Sequence, residues 1–179
     1  MLLLSFLWHF AAAETLAGVT LPDEITLGGE RLLLNGMGVR EKYWLDIYAA
    51  GLYVPFYTDD PDVVIYENIP KRIHSTFIYP KVTREQLQES LQENMKDNPD
   101  ISKETKMQLL LCFDWMEDLS TGDDIIFDYV PEMGTTIYVK GREKGTIPGE
   151  AFGQAIFHIY LGPSVSYPPL KKSLLGGNE

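Results

Sequence analysis

No stretch constrains the fold of this chain more than Leu32 to Pro55. Leu, Val, Ile, Tyr and Trp dominate it, Gly36, Gly38 and Gly51 interrupt it, and Glu41-Lys42 supplies one polar point. Apolar, β-branched and aromatic runs of this length read as two β-strands joined by a reversal. The pair carries one guanidinium, Arg40, and one phenol, Tyr48, among apolar neighbours. On a single straight strand the two would lie roughly 26 Å apart, at about 3.3 Å per residue, too far to share a ligand. A reversal near Glu41 to Tyr43 instead sets Arg40 at the hairpin end and Tyr48 a few residues along the return strand. Their long side chains can then converge. Even-numbered residues 44 to 54 share one face of the return strand and odd-numbered residues 45 to 53 the other. Both sets are largely apolar, so both faces are expected to be covered. The glycines mark bulges or places where another group approaches the backbone.

Composition bounds the rest. With 179 residues, 45% of them hydrophobic, the chain is long enough for one domain with a full core. The formal charge of -11 argues against a nucleic-acid partner, since a non-specific polyanion binder is basic. The first thirteen residues, Met1 to Ala13, form a short apolar run ending in small residues. They read as a secretory signal peptide cleaved near Ala13, because a run of this length does not span a bilayer. Residues 14–179 then form a single periplasmic or secreted domain with no stable membrane insertion. The acidic charge makes an anionic membrane surface an unattractive resting place, and Lys71-Arg72 and Lys171-Lys172 are the basic patches through which brief docking would still be open to it. The one cysteine, Cys112, sits in the run Leu109-Leu-Leu-Cys-Phe and reads as a buried small hydrophobe. No His/Cys cluster points to a metal, and nothing points to a cofactor. Thr58-Asp-Asp-Pro-Asp62 lacks the glycine and glutamate of a calcium loop and reads as a solvated turn.

Strands are expected at Val63 to Tyr66 and at Arg72 to Tyr79, the second with Arg72, His74 and Thr76 on its more polar face. Thr83-Arg-Glu-Gln86 is a capping box opening a helix with Leu87, Leu91 and Met95 on one side, closed by Asn98-Pro99. Ser102 caps the next helix, whose apolar face is read as Met107, Leu110, Leu111, Trp115 and Leu119, with a stop at Ser120-Thr-Gly122. Ile125 to Val130 and Thr135 to Lys140 flank a hairpin turn, and a further strand runs near Glu143 to Ile147. Glu150 to Leu161 reads as a helix with Phe152, Ile156 and Ile159 along one side. Gly153 inside it costs about 1 kcal/mol relative to Ala, which close packing or room for a ligand would offset. Tyr167 onward reads as a turn and a short amphipathic segment. Strands, two helices, three strands and a helix argue for an α+β fold, a largely antiparallel sheet covered on one face by a helix layer.

The segments Leu34 to Lys42 and Ile47 to Val54 resemble the opening strands of the chalcone isomerase-like superfamily. The resemblance extends through Lys81-Val-Thr, the hairpin Asp123 to Val139 and Thr146 to Ala155, and implies an open-faced β-sandwich with a ligand between sheet and helices. In the catalytic members, as the resemblance implies, an arginine matching Arg40 is the main electrostatic catalyst. A tyrosine and a lysine near Tyr79 and Lys81 assist it. The threonine of those enzymes falls on Tyr48. In fatty-acid-binding members an arginine and a tyrosine at the positions of Arg40 and Tyr48 hold the lipid carboxylate. The isomerase pattern Tyr-x-x-Lys-x-x-x-Asn, aligned on Lys81, places Ile78 at the tyrosine and Glu85 at the asparagine, with Tyr79 one place off. Gly153 stands where the isomerases carry a small hydroxyl residue.

Residue types alone favour a plainer reading, in which Arg40 caps a hairpin and Tyr48 packs in the core. The resemblance reverses that preference. The leading expectation is an exported, non-catalytic protein binding a small amphipathic acid such as a fatty acid at Arg40, Tyr48 and Gly153. Arginine stays charged and grips a carboxylate bidentately, and a phenol adds one neutral donor. The alternative is an isomerase with Arg40, Lys81 and Tyr79 as catalytic groups. A third is an envelope interaction protein without a pocket.

Overall fold

The structure, a computed structural model, describes residues 12–96 and 101–177. Two short strands, β1 (Ala13–Leu16) and β2 (Val19–Pro22), form a hairpin of their own. The main sheet follows in strict chain order: β3 (Glu24–Leu27), β4 (Glu30–Lys42), β5 (Leu45–Val54), β6 (Lys71–Phe77), β7 (Asp124–Val130), β8 (Gly134–Val139) and β9 (Arg142–Ile147). Every neighbouring pair is antiparallel. Helices both interrupt this meander and follow it. Helix α1 (Pro61–Tyr66) lies between β5 and β6, α2 (Arg84–Lys96) and α3 (Lys103–Asp114) between β6 and β7, and α4 (Glu150–Leu161) and α5 (Pro168–Leu174) after β9.

The expected central hairpin is present. Its turn falls at Tyr43-Trp44, directly after the polar point Glu41-Lys42, and both residues have positive φ (53° and 63°). Both faces of β5 are covered from Ala49 onward. Ala50, Leu52 and Val54 pack with Ile73, Phe157 and Leu161 on the helix side, and Ala49 and Tyr53 pack with Leu21, Leu32 and Leu34 on the side closed by β1 and β2. The glycines act as close-approach points. A Cβ on Gly36 would lie 2.1 Å from the Ser173 carbonyl oxygen, and one on Gly38 would lie 2.7 Å from Ser173 Cβ, so α5 can rest directly on β4. Just before Gly36, Asn35 donates from Nδ2 to the Leu174 carbonyl (2.8 Å) and the Thr58 carbonyl (2.9 Å), tying α5 and the β5–α1 loop to the strand.

Several expectations are corrected. Val63 to Tyr66 is helical, not a strand: Asp60 accepts a hydrogen bond from the Asp62 amide (2.9 Å), Pro61 opens the first turn, and Val64 and Ile65 are buried. N-cap and N1 chemistry outweighs the strand propensity of three β-branched residues. Helix α3 starts at its Ser102 cap as expected. It buries Thr105, Leu109, Cys112 and Phe113, while Met107, Leu110 and Leu111 are exposed. The run from Met107 to Phe113 is apolar almost all round, so periodicity alone chose the wrong stripe. The helix also ends at Asp114, short of Ser120. Lys71 is no surface patch but is buried on the inner face of β6, and Arg72 is paired with Asp128 (2.5 Å). The Thr83–Gln86 capping box forms in both directions (2.9 and 3.3 Å). Helix α4 has the expected bounds. The side chains of Leu91 and Met95, the stop at Asn98-Pro99 and the leader up to Ala11 lie outside the described residues.

Candidate functional site

Antiparallel register sets Arg40 of β4 directly opposite Tyr48 of β5, and Tyr48 directly opposite Phe77 of β6. A register shift between Arg40 and Glu41 releases the strand just past this pair, where the hairpin begins to turn. The Arg40 guanidinium donates to the Glu41 carbonyl (2.9 Å) and to Ser166 Oγ (3.4 Å) and stacks 4.7 Å from the centre of the Tyr167 ring. Among the described residues it forms no ion pair with a carboxylate. Tyr48 packs its ring 5.4 Å from Phe77. Burial holds its phenol far above the ordinary value, Tyr160 adding to the effect and Arg40 opposing it, so Tyr48 is a neutral donor at physiological pH.

The pair borders two adjoining spaces. Outward lies a cleft of about 280 Å³, walled by Ile47, Tyr79, Lys81, Val82 and Leu87 with Lys42, Glu89 and Glu93 at its rim. Inward lies a chamber of about 80 Å³, walled by Met116, Ile125, Phe127 and Ile159, with the hydroxyl residues Ser75 and Tyr160. Arg40, Tyr48, Phe77, Leu87, Ser90 and Ser166 border both. A polar mouth leading past a cation to apolar walls suits an amphiphile with an anionic head. A larger cleft of about 430 Å³, between β1, β4 and α5, carries Glu14, Glu41 and Asp46 and no Lys or Arg. It offers an anion nothing.

Of the residues singled out in the sequence, Arg40, Tyr48, Tyr79 and Lys81 come together in one cleft. The amides of Ile78 and Tyr79 both donate to the Ile47 carbonyl (2.9 and 3.1 Å), a bulge that turns Tyr79 to the cleft despite its one-residue offset. Lys81 sits at the exposed mouth, 3.3 Å from Asp118. Glu85 does not border the cleft, whereas Gln86 does. Gly153 lies elsewhere: a Cβ there would meet the Tyr129 ring at 2.8 Å and Thr135 Oγ1 at 3.1 Å, so close packing, not ligand room, is its reason. Sequence reasoning missed Ser166 and Tyr167, which reach Arg40 from the α4–α5 loop 126 residues away in sequence, for the first. It also missed Ser75 and Tyr160. The alternation of β6 already placed Ser75 on the face of Phe77, and that was the available signal. Among the described residues no group of His, Cys, Asp and Glu could hold a metal, and no helix is long and apolar enough to cross a membrane.

No curated protein sequence matches the chain. A solved structure does resemble it: the crystal structure of a fatty-acid binding protein of Arabidopsis thaliana, at a TM-score of 0.71 and 17% identity, covering 92% of this chain and 96% of that one. At that identity the likeness is one of fold. The sequence profile described as chalcone isomerase-like matches residues 13–176, and the chain belongs to that family.

Proposed function

We propose that this protein binds a small amphipathic carboxylic acid of the fatty-acid type without transforming it. The observation that carries the reading is Arg40: a guanidinium free of any carboxylate among the described residues, facing the neutral phenol of Tyr48 where a polar cleft opens onto apolar walls. Arginine and tyrosine supply the two kinds of donor a carboxylate takes up, and Phe77, Leu87 and the chamber walls accept the tail. The similar fold of the Arabidopsis fatty-acid binding protein supports the same reading.

Native mass spectrometry of protein recovered from its host under mild conditions should show a bound acid. Calorimetry should then show Arg40→Ala weakening that acid roughly ten- to a hundredfold, since a hydrogen bond to a charged group contributes about 1.5–3 kcal/mol. Tyr48→Phe should weaken it less, about two- to tenfold, by about 0.5–1.5 kcal/mol. A protein that binds no acid, with or without Arg40, would sink the proposal. The apolar leader extends it to export: the mature chain should begin at Glu14, and recovery of a chain starting at Met1 would remove that part.

A second reading rests on Tyr79 and Lys81 sharing the cleft with Arg40. In an isomerase Arg40 would stabilise a developing oxyanion while those two groups handled the proton. Chalcone would then close faster than in buffer, and Arg40→Ala would abolish the gain. The open cleft beside Arg40 speaks against a pocketless interaction protein.

A further inference from the structure

Ser75 lies on the inner face of β6 opposite Ala50 of β5, in the wall of the deep chamber. It is only 2% exposed, and its hydroxyl oxygen has no hydrogen-bond partner. A buried hydroxyl left unsatisfied destabilises the fold, so it points to a partner from outside the chain. The Tyr160 phenol borders the same chamber, near enough to feel the Ser75 hydroxyl although the two fall short of a hydrogen bond. Burial raises it to about 12 and keeps it protonated. These two hydroxyls share the chamber with the apolar side chains of Met116, Ile125, Phe127 and Ile159, while Arg40, Tyr48 and Ser166 border it where it meets the outer cleft.

Their place relative to Arg40 fixes what they would meet. Ala50 follows Tyr48 by two residues on the same face of β5, so the Ser75 level lies roughly 7 Å further along the sheet than Tyr48, at about 3.3 Å per residue. A molecule whose carboxylate rests on Arg40 and Tyr48 brings the middle of its chain to Ser75, not its head. We infer that the chamber is a second polar subsite, taking an amphipathic acid that bears a hydroxyl or keto oxygen part-way along its chain, held by Ser75 and Tyr160. The inference rests on the carboxylic-acid reading of the outer cleft and adds the class of acid. A serine hydroxyl donates and accepts and a neutral phenol donates, so either kind of oxygen is served. A plain hydrocarbon chain leaves Ser75 unpartnered, and that difference is the source of selectivity.

The test is calorimetric titration with decanoic acid and with its mid-chain monohydroxy and monoketo derivatives. At least one derivative should bind roughly five- to tenfold tighter than decanoic acid, the worth of one or two added hydrogen bonds. Ser75→Ala and Tyr160→Phe should each cut that preference to about twofold or less while decanoic acid binds as well as before or better. Arg40→Ala should weaken every acid alike and leave the preference intact. If decanoic acid binds through Arg40 but no derivative binds tighter, or if Ser75→Ala leaves the preference unchanged, the second subsite is overturned and the carrier reading stands. If no acid binds at all, the carrier reading fails and the subsite falls with it. Thermal melts add an independent arm. Ser75→Ala should be at least as stable as the wild type, and a clear loss of stability would mean that the hydroxyl is already satisfied within the protein and would overturn the inference.

Discussion

Lys71 shows how far a single side chain can depart from its reputation as a surface residue. Alternation along β6 points it inward with Ile73, Ser75 and Phe77, where it is 2% exposed. Its ammonium donates to the carbonyls of Val64 (2.6 Å), Glu67 (2.9 Å) and Ile65 (3.3 Å) at the end of α1, and lies 5.1 and 5.2 Å from the rings of Tyr129 and Phe157. It therefore closes a helix that has no basic residue in its own last turn. Lys71→Met keeps the volume but strips three carbonyls, those of Val64 and Ile65 buried, of their donor, and a loss of about 2–4 kcal/mol is expected in urea unfolding, with faster amide exchange confined first to α1. Gly153→Ala makes the opposite kind of point. Helix propensity favours Ala by about 1 kcal/mol, yet its methyl would press on the Tyr129 ring, and overpacking of this sort costs about 1–3 kcal/mol. The substitution should lower stability and leave ligand affinity unchanged, which a melt and a titration check together.

The hairpin of β4 and β5 holds the site, and its turn is made from the wrong residues for its shape. Tyr43 and Trp44 both adopt left-handed φ, a conformation in which Asn-Gly is the favoured pair, and they stand 78% and 95% exposed. Tyr43→Asn with Trp44→Gly should raise stability by about 1–2 kcal/mol, relieving strain at two positions without touching the core. A lower melting temperature would show that the aromatic pair contributes contacts that outweigh its strain. This element was legible in the sequence because its physics is local: apolar runs, interior glycines and one polar reversal. The turn alone would set Arg40 opposite Ile47; the one-residue shift between Arg40 and Glu41 brings Tyr48 there instead, and no residue in the sequence announces that bulge. The partners that complete the site are not local. Ser166 and Tyr167 arrive on a loop whose sequence reads only as a polar link before two prolines, and no spacing rule connects them to Arg40. Helix α1 was misread because Val63, Val64 and Ile65 have strand propensity, while the deciding signal, Asp60-Pro61, lies in the turn before them. The buried face of α3 was misread because apolar residues surround that helix, and only the packed structure selects Leu109, Cys112 and Phe113 over Met107, Leu110 and Leu111.

At the scale of the whole molecule, the buried titratable groups set opposite limits on stability. His74 and His158 have their pKa values lowered chiefly by burial, with Asp124 working against the shift at His74. The unfolded chain therefore binds protons that the native state refuses, and stability should fall as the pH drops below about 6.5. Glu117, held ionised chiefly by Lys144, and Asp118, held chiefly by the Arg84 amide, add to that loss at lower pH. Lys71 acts in the other direction: burial lowers it to about 8 from 10.5, so above pH 8 the native state loses a proton that the unfolded chain retains, and stability rises. Cys112 and Tyr160, each raised by burial to about 12, reverse the trend, since the unfolded thiol and phenol ionise near 9 and 10 while the native ones do not. Stability should thus climb from acid to a maximum at about pH 9 and fall beyond it, a displacement from the usual optimum of about 5–8 that traces to one lysine. Urea midpoints measured from pH 5 to 11 test this, with Lys71→Met as the control. The variant lacks the rise above pH 8, so the gap between wild type and variant should widen between pH 8 and 10. A gap that stays constant across that range would mean that Lys71 keeps its proton, the three carbonyls and two aromatic rings holding the ammonium more strongly than burial opposes it.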